Sequence, residues 1–207
     1  MTVVDLPLVD FGGLTVMYDD RVLTPRGWTL AQSWWSAEIL PSAPDGRVLE
    51  LCAGVGHIGL AAVAEGRREL VLVDLNPVAC ELARVNADAA LMGHRVEVRQ
   101  GRVDQVVAAD ERFALIIADP PWVLSADIAS HPNDPAIAID GGDDGLELAR
   151  VCCDVIESHL VTGGSAILQL GNEDQACSIA EHLEQGSTLR VREVRTYERG
   201  VLARLSG

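Results

Sequence analysis

The amino-acid sequence predicts an α/β fold: a mainly parallel sheet with helices on both faces, ending in an antiparallel hairpin. Three observations carry this. From about residue 47 onward, short apolar runs of strand character alternate with helical patterns, the signature of βα units around a parallel sheet. The last two strand-like runs are separated only by a short turn at Glu198, Arg199 and Gly200, which lets them pair antiparallel. The chain has 207 residues, 48% of them apolar, enough for one domain with a sizeable core.

The elements follow in order. In residues 1–46, MTVVDLPLVDFGGLTVMYDDRVLTP reads as short strands and turns, and WTLAQSWWSAEIL as an amphipathic helix. This is too little for an independent domain, so residues 1–46 are expected to be an N-terminal extension that packs on the sheet and borders the site. The domain proper spans 47–207. RVLELC is a strand and a helix follows Gly56; ELVLVD is a strand, then a helix runs from Asn76 to about Met92; RVEVRQ and FALIIAD are strands. After an irregular stretch come a helix from about Asp144 to His159, the strand GSAILQL, a helix from Glu173 to Glu184, and the strands LRVREVRTY and GVLARL. Seven strands result.

Composition excludes several classes of chemistry. All sixteen basic residues are arginine, so a Schiff-base lysine and a P-loop lysine are impossible. The net charge is −15 and the arginines are scattered, which argues against a long polyphosphate substrate. Cys52, Cys80, Cys152, Cys153 and Cys177 are odd in number and contain no C-x-x-C pair. They read as reduced, mostly buried thiols rather than disulfides or a zinc site, and the five histidines show no metal spacing, so no metal is expected. No apolar run has the length of a membrane span. The N-terminus lacks the basic stretch and apolar core of a secretory signal. The expected location is therefore cytoplasmic.

The segment VLELCAGVGHIGL, residues 48–60, runs from a buried strand through a glycine turn into a helix. Gly54 and Gly56 allow a sharp turn and close approach of a ligand, and the helix start offers free N–H groups. Gly54, Gly56 and Gly59 also fit G-x-G-x-x-G, the dinucleotide pattern, so the glycines alone leave NAD and S-adenosylmethionine both open. Glu50, just before the loop, would repel a pyrophosphate and suits a cofactor with sulfonium and ammonium groups. Asp74 at the end of ELVLVD can accept from both ribose hydroxyls of either cofactor.

FALIIAD ends in Asp119-Pro120-Pro121-Trp122, at the sheet edge where open α/β sheets bind ligands. Asp119 and the Pro120 carbonyl are acceptors that can orient an NH2 group; the prolines fix the chain, and Trp122 can stack on a planar substrate. The motif resembles the D/N-P-P-Y/F/W signature of methyltransferases acting on planar amino or amide nitrogens. With PAIAIDGGDDGLELAR at 135–150 and DDRVLTPRGWTLAQ at 19–32, the chain resembles the HemK-type family, the release-factor glutamine N5-methyltransferases. The resemblance covers most of residues 19–170. It implies a Rossmann-like class I methyltransferase fold and S-adenosyl-L-methionine as cofactor. It also implies N-methylation of a protein side chain or small molecule.

It places cofactor contacts at Glu50, Cys52, Ala53, Gly54, Gly56, Asp74, Leu75, Arg102, Val103 and Asp119. The catalytic group is Asp119, Pro120, Pro121 and Trp122, and the substrate pocket is Arg26, Trp28 and Thr29. The chain departs from the family pattern at Asp119 (asparagine), Trp122 (tyrosine), Leu30 (glutamate) and Arg102 (an acidic residue). The helical N-terminal domain with which bacterial members hold release factors has no counterpart in the sequence. A base amino-methyltransferase, an NAD-dependent oxidoreductase and a non-catalytic binding module remain alternatives at this point. Among smaller features, Trp34 and Trp35 read as core or partner surface, and His57 as a first-turn residue. Asp140 and Asp144 read as supports of a glycine turn and a helix start, and Asp104 and Asp110 as solvated.

Overall fold

A computed structural model describes residues 6–207. Residues 1–5, on which the reading of the N-terminus partly rests, lie outside the described residues. The chain opens with a ribbon, β1 (Leu8–Phe11) paired antiparallel with β2 (Leu14–Met17), and the helix α1 (Leu30–Ile39). The alternating region follows: β3 (Arg47–Leu51), α2 (His57–Val63), β4 (Leu70–Asp74), α3 (Pro77–Ala89), β5 (Val96–Gln100) and β6 (Phe113–Ala118). A short α4 (Ala136–Ile139), then α5 (Glu147–His159), β7 (Leu160–Leu170), α6 (Glu173–Glu184), β8 (Arg190–Thr196) and β9 (Val201–Ser206) complete the described chain.

The seven strands of the main sheet lie in the order β5-β4-β3-β6-β7-β9-β8. Pairing is parallel from β5 to β7, and β9 runs antiparallel between β7 and β8. The predicted α/β architecture with a terminal antiparallel hairpin is therefore present. The fully buried central strands read as continuous apolar runs because both their faces are covered. Leu49 and Leu51 of β3 pack toward α5 and α6, while Val48 packs with α2, α3 and the β1–β2 ribbon. Asn86 of α3 clamps that ribbon: it accepts from Met17 N–H at 2.7 Å and donates to the carbonyls of Met17 and Val55, both at 3.0 Å.

Three predicted boundaries move; α5, expected from about Asp144, begins at Glu147. The helix expected to reach Met92 ends at Ala89, because Leu91 adopts a left-handed backbone (φ 59°) and Met92 N–H turns back to Ala87 O at 2.8 Å. That closure leaves Met92 buried as a hydrophobic stop. The strand expected from Gly164 begins at Leu160, directly after α5, and absorbs Gly163 and Gly164 in a register shift against β6. Of the paired tryptophans, Trp35 is buried under the Arg195 guanidinium and Trp34 is 66% exposed. Among the described residues no helix is long and apolar enough to cross a membrane.

Candidate active site

The sheet order reverses between β3 and β6, so the chain leaves these adjacent strand ends toward opposite faces and opens a crevice. Asp119 N–H donates to Leu51 O at 3.3 Å and joins the two strand ends. A cavity of about 740 Å³ lies beyond them. One wall is the glycine loop, with Cys52, Ala53 and Gly54; Asp74 and Leu75 after β4, and Arg102 and Val103 after β5, form the next. Asp119, Pro120, Pro121 and Trp122, after the neighbouring β6, also line the cavity, and Arg26, Trp28 and Thr29 border it from the N-terminal segment. Of the cofactor, catalytic and substrate-pocket residues expected from the sequence, all but two line this cavity.

The two exceptions are Glu50 and Gly56. Glu50 lies on the face of β3 that turns under the loop, is wholly buried, and accepts from Gly59 N–H at 2.9 Å. It does not line the cavity, so its charge does not discriminate between a pyrophosphate and a sulfonium cofactor as the sequence argument had it. Burial, partly offset by the Gly59 N–H, holds its carboxyl well above the usual carboxylate range. Gly56 (φ 80°) caps α2 and turns inward, where a Cβ would stand 2.7 Å from Leu72 Cδ1 and 3.3 Å from Ala83 Cβ. It serves helix–strand packing. Gly54 (φ 52°), by contrast, has open space where its Cβ would point.

Asp74 anchors the loop: it accepts from Gly54 N–H at 2.7 Å and from Asn76 N–H at 2.8 Å. Burial raises its pKa, and the backbone N–H groups of Asn76, Gly54 and Leu75 oppose the rise. Each carboxylate oxygen retains capacity for a further donor. Asn76, which the sequence marked only as a helix start, caps α3 through Val78 N–H at 2.9 Å and also lines the cavity. Its signal was readable: Asn followed by Pro at a helix start. Cys52 holds a left-handed backbone (φ 59°), and contact with the Cys152 thiol, then burial, push its own thiol up. Cys80, Cys152 and Cys153 are buried and Cys177 is exposed, all as free thiols. Among the described residues no cluster of three His, Cys, Asp or Glu side chains forms a metal site.

In the motif after β6, burial pushes the Asp119 carboxyl up to about 7, against a smaller lowering by the Gln32 amide beside it. The Pro120 carbonyl accepts no backbone hydrogen bond among the described residues. Trp122 lies over the backbone of Gly171, where a Cβ would meet its ring at 2.5 Å, and Trp122 O accepts from Gln175 Nε2 at 3.1 Å. The IDGGDDG segment is a buttress behind this motif. Gly141 N–H donates to Val123 O at 2.8 Å, and Asp140 accepts from Ser125 Oγ at 2.6 Å and Gly142 N–H at 3.0 Å. Asp144 accepts from Leu146 N–H at 3.0 Å just before α5.

The roof joins two segments distant in sequence. Arg26 Nη2 lies 2.5 Å from Asp134 Oδ1, tying the 3₁₀ turn Gly27–Thr29 to the loop at 130–135. His57, read from sequence as a first-turn residue, is buried against the edge of Phe11 and also lines the cavity; burial lowers its pKa to about 4. The 130–135 loop and the β8–β9 turn at 198–200 complete the rim. Neither carried a recognisable motif, because rim loops are selected for a shape that local spacing does not encode. Arg102 is paired with Asp104 at 2.9 Å on an exposed edge.

Residues 35–131 match the family model described as "Methyltransferase small domain". A release factor glutamine methyltransferase of Deinococcus radiodurans is 33% identical over 205 residues, covering 96% of this chain and 72% of the relative. The chain belongs to the HemK-type family of small methyltransferases. A ribosomal protein uL3 glutamine methyltransferase of Francisella tularensis is 30% identical over 175 residues, with 80% of this chain and 55% of the relative covered. The methyltransferase thus spans between about half and three quarters of these relatives. Its fold is also that of a Pyrococcus abyssi tRNA (uracil-54, C5)-methyltransferase solved with S-adenosyl-L-homocysteine. That match has a TM-score of 0.65 at 13% identity, over 98% of this chain and 44% of the other.

Proposed function

We propose that this methyltransferase uses S-adenosyl-L-methionine to methylate a planar amide nitrogen of a protein side chain, in the cytoplasm. One observation carries the reading: the glycine loop with Asp74 and the Asp-Pro-Pro-Trp motif, carried by the neighbouring strands β3 and β6, line one cavity. The cofactor suits these residues. Gly54 leaves room for it, Asp74 offers acceptors to ribose hydroxyls, and Leu75 and Val103 give an apolar surface for the adenine. When bound, S-adenosyl-L-methionine supplies a methyl group on a positively charged sulfur. The chain's own contribution is positioning. Asp119 and the Pro120 carbonyl accept from the two N–H groups of the acceptor amide and aim its nitrogen lone pair across the cavity. Trp122 covers the amide plane, and the Asp119 carboxylate is the group placed to take the proton that the nitrogen would give up on methylation. The relatives named for release factor and uL3 methylation make a glutamine side chain in a translation protein the first acceptor to test.

The test has two arms. Calorimetry should detect S-adenosylhomocysteine binding, and Asp74→Ala should weaken it by roughly 1.5–3 kcal/mol, the worth of hydrogen bonds to a charged group. Mass spectrometry after incubation with release factor or uL3 should find one added methyl group on glutamine. Asp119→Ala should slow single-turnover transfer on the order of 100-fold with near-normal cofactor affinity. Equal affinity in wild type and Asp74→Ala would refute the cofactor assignment, and a wild-type rate in Asp119→Ala the acceptor site.

A further inference from the structure

Gln32, on the buried face of α1, is fully shielded from solvent, yet neither its amide oxygen nor its amide nitrogen has a hydrogen-bond partner among the described residues. A primary amide is a poor choice for a dry site unless it is used, because unpaired buried donors and acceptors lose their hydration without return. The amide lies beside the carboxyl of Asp119, close enough to lower its proton affinity. Asp119 itself lines the cavity at the end of β6, whereas Gln32 stands behind it, outside the cavity wall. Shape does not explain the amide, since a leucine or methionine would fill comparable space without polar atoms.

We propose that Gln32 is a positioning residue for Asp119: its amide N–H completes a hydrogen bond to the carboxylate from behind, keeping it ionised and presenting its other lone pairs to the acceptor nitrogen. The assignment rests on Asp119 being the acceptor-holding residue. It gives α1 a part in the chemistry beyond packing. The ionisable groups facing Asp119 are Glu50 on β3 and the Cys52 thiol just after it, both held toward their neutral forms. Asp74 and His57 share the cavity wall. None of these supplies a positive charge at neutral pH, so the amide donor is the group that stabilises the anion.

The experiment reads the carboxyl directly. Protein labelled with carboxyl-¹³C aspartate is titrated by NMR, with Asp119 assigned by its disappearance in Asp119→Asn. In Gln32→Met, with Gln32→Leu as a second variant, the Asp119 midpoint should rise by at least about half a unit, since a donor to the charged form is lost. Thermal stability should be equal or higher, and S-adenosylhomocysteine affinity should stay within about twofold, as the cofactor wall is untouched. An unmoved midpoint in a folded variant would overturn the proposal. So would a large loss of stability in both variants, which would make Gln32 a packing residue. Neither result depends on knowing the acceptor, so a failure here is distinct from a failure of the glutamine assay.

Discussion

Asp119 stands where the family pattern has asparagine, and the exchange makes the site sensitive to pH. Burial sets its carboxyl near 7, so the ionised acceptor forms only as pH rises through that value. The pH profile of kcat/KM should climb with an acid limb centred near 7, the free-enzyme value, and level off above it. Asp119→Asn, which keeps an acceptor oxygen, should lose that limb; a limb of unchanged midpoint in the variant would assign it to another group. Stability follows the same linkage with a definite sign. The folded pKa lies above the ordinary carboxylate value, so the contribution of Asp119 favours the fold at acid pH and is lost as pH rises through about 7. Denaturation curves should therefore show Asp119→Asn gaining relative to wild type between pH 5 and pH 8. Single residues were unequally legible. Asp74 and Asp119 end strands, so their place at the sheet edge follows from chain order. Glu50 lies within a strand, and alternation says that it shares a face with Val48 but not whether that face opens to a ligand. Gln32 sits in a helix that the sequence presents as amphipathic, but its polar Gln32, Ser33 and Ser36 are buried along with Trp35 and Ile39, so polarity pointed away from its burial.

At the scale of elements, the central strands and helices were legible because apolar runs and helical periodicity coincide with burial. Their ends were less so. The strand that starts at Leu160 rather than Gly164 follows its helix without a loop, and a pair of glycines that reads as a turn is instead taken into the sheet. The IDGGDDG segment was visible as a motif, but its part as a buttress depends on a parallel bridge from Val123 to Asp140 that no local pattern encodes. The strand-to-helix loop offers the sharpest test, because two glycines read alike in sequence are used differently. Gly56→Ala forces a methyl group toward Leu72 and Ala83. The left-handed backbone adds roughly 1–2 kcal/mol and overpacking about 1–3 kcal/mol, so urea denaturation should show a loss of several kcal/mol. Gly54→Ala carries only the backbone cost, because its methyl group points into open space. It should leave a folded protein with the greater loss of S-adenosylhomocysteine affinity relative to its loss of stability. The same stability loss in both variants would contradict the division of roles.

Across the whole molecule, the crevice at the reversal of strand order is closed above by residues from outside the alternating region. We read residues 6–46 as a cap on the domain that follows, through α1 against α2 and the ribbon against α3. The Arg26–Asp134 pair spans from this cap to the 130–135 loop. Both side chains are partly exposed, so the pair adds under about 1 kcal/mol to stability. Its effect belongs to the closed form of the roof: Arg26→Ala should raise the acceptor KM while leaving the melting temperature and the cofactor Kd near wild type. A drop in melting temperature of many degrees would show instead that the pair holds the fold. Cofactor binding should be visible in the stability of the entire chain, because a ligand that binds only the folded state adds RT ln(1 + [L]/Kd), about 2.7 kcal/mol at a hundredfold excess over Kd. A chain of this length shifts its midpoint by roughly 2–4 °C for each kcal/mol, so S-adenosylhomocysteine should raise the melting temperature by about 5–10 °C. NADH at the same concentration should not, since the cavity offers no second glycine cradle for a pyrophosphate: Gly56 turns away from it and Gly54 alone is open. Asp74→Ala should lose most of the S-adenosylhomocysteine shift and also melt somewhat below wild type without ligand, because Gly54 N–H and Asn76 N–H lose their acceptor. Stabilisation by NADH of equal size would return the glycine loop to the dinucleotide reading, whatever the motif on the neighbouring strand.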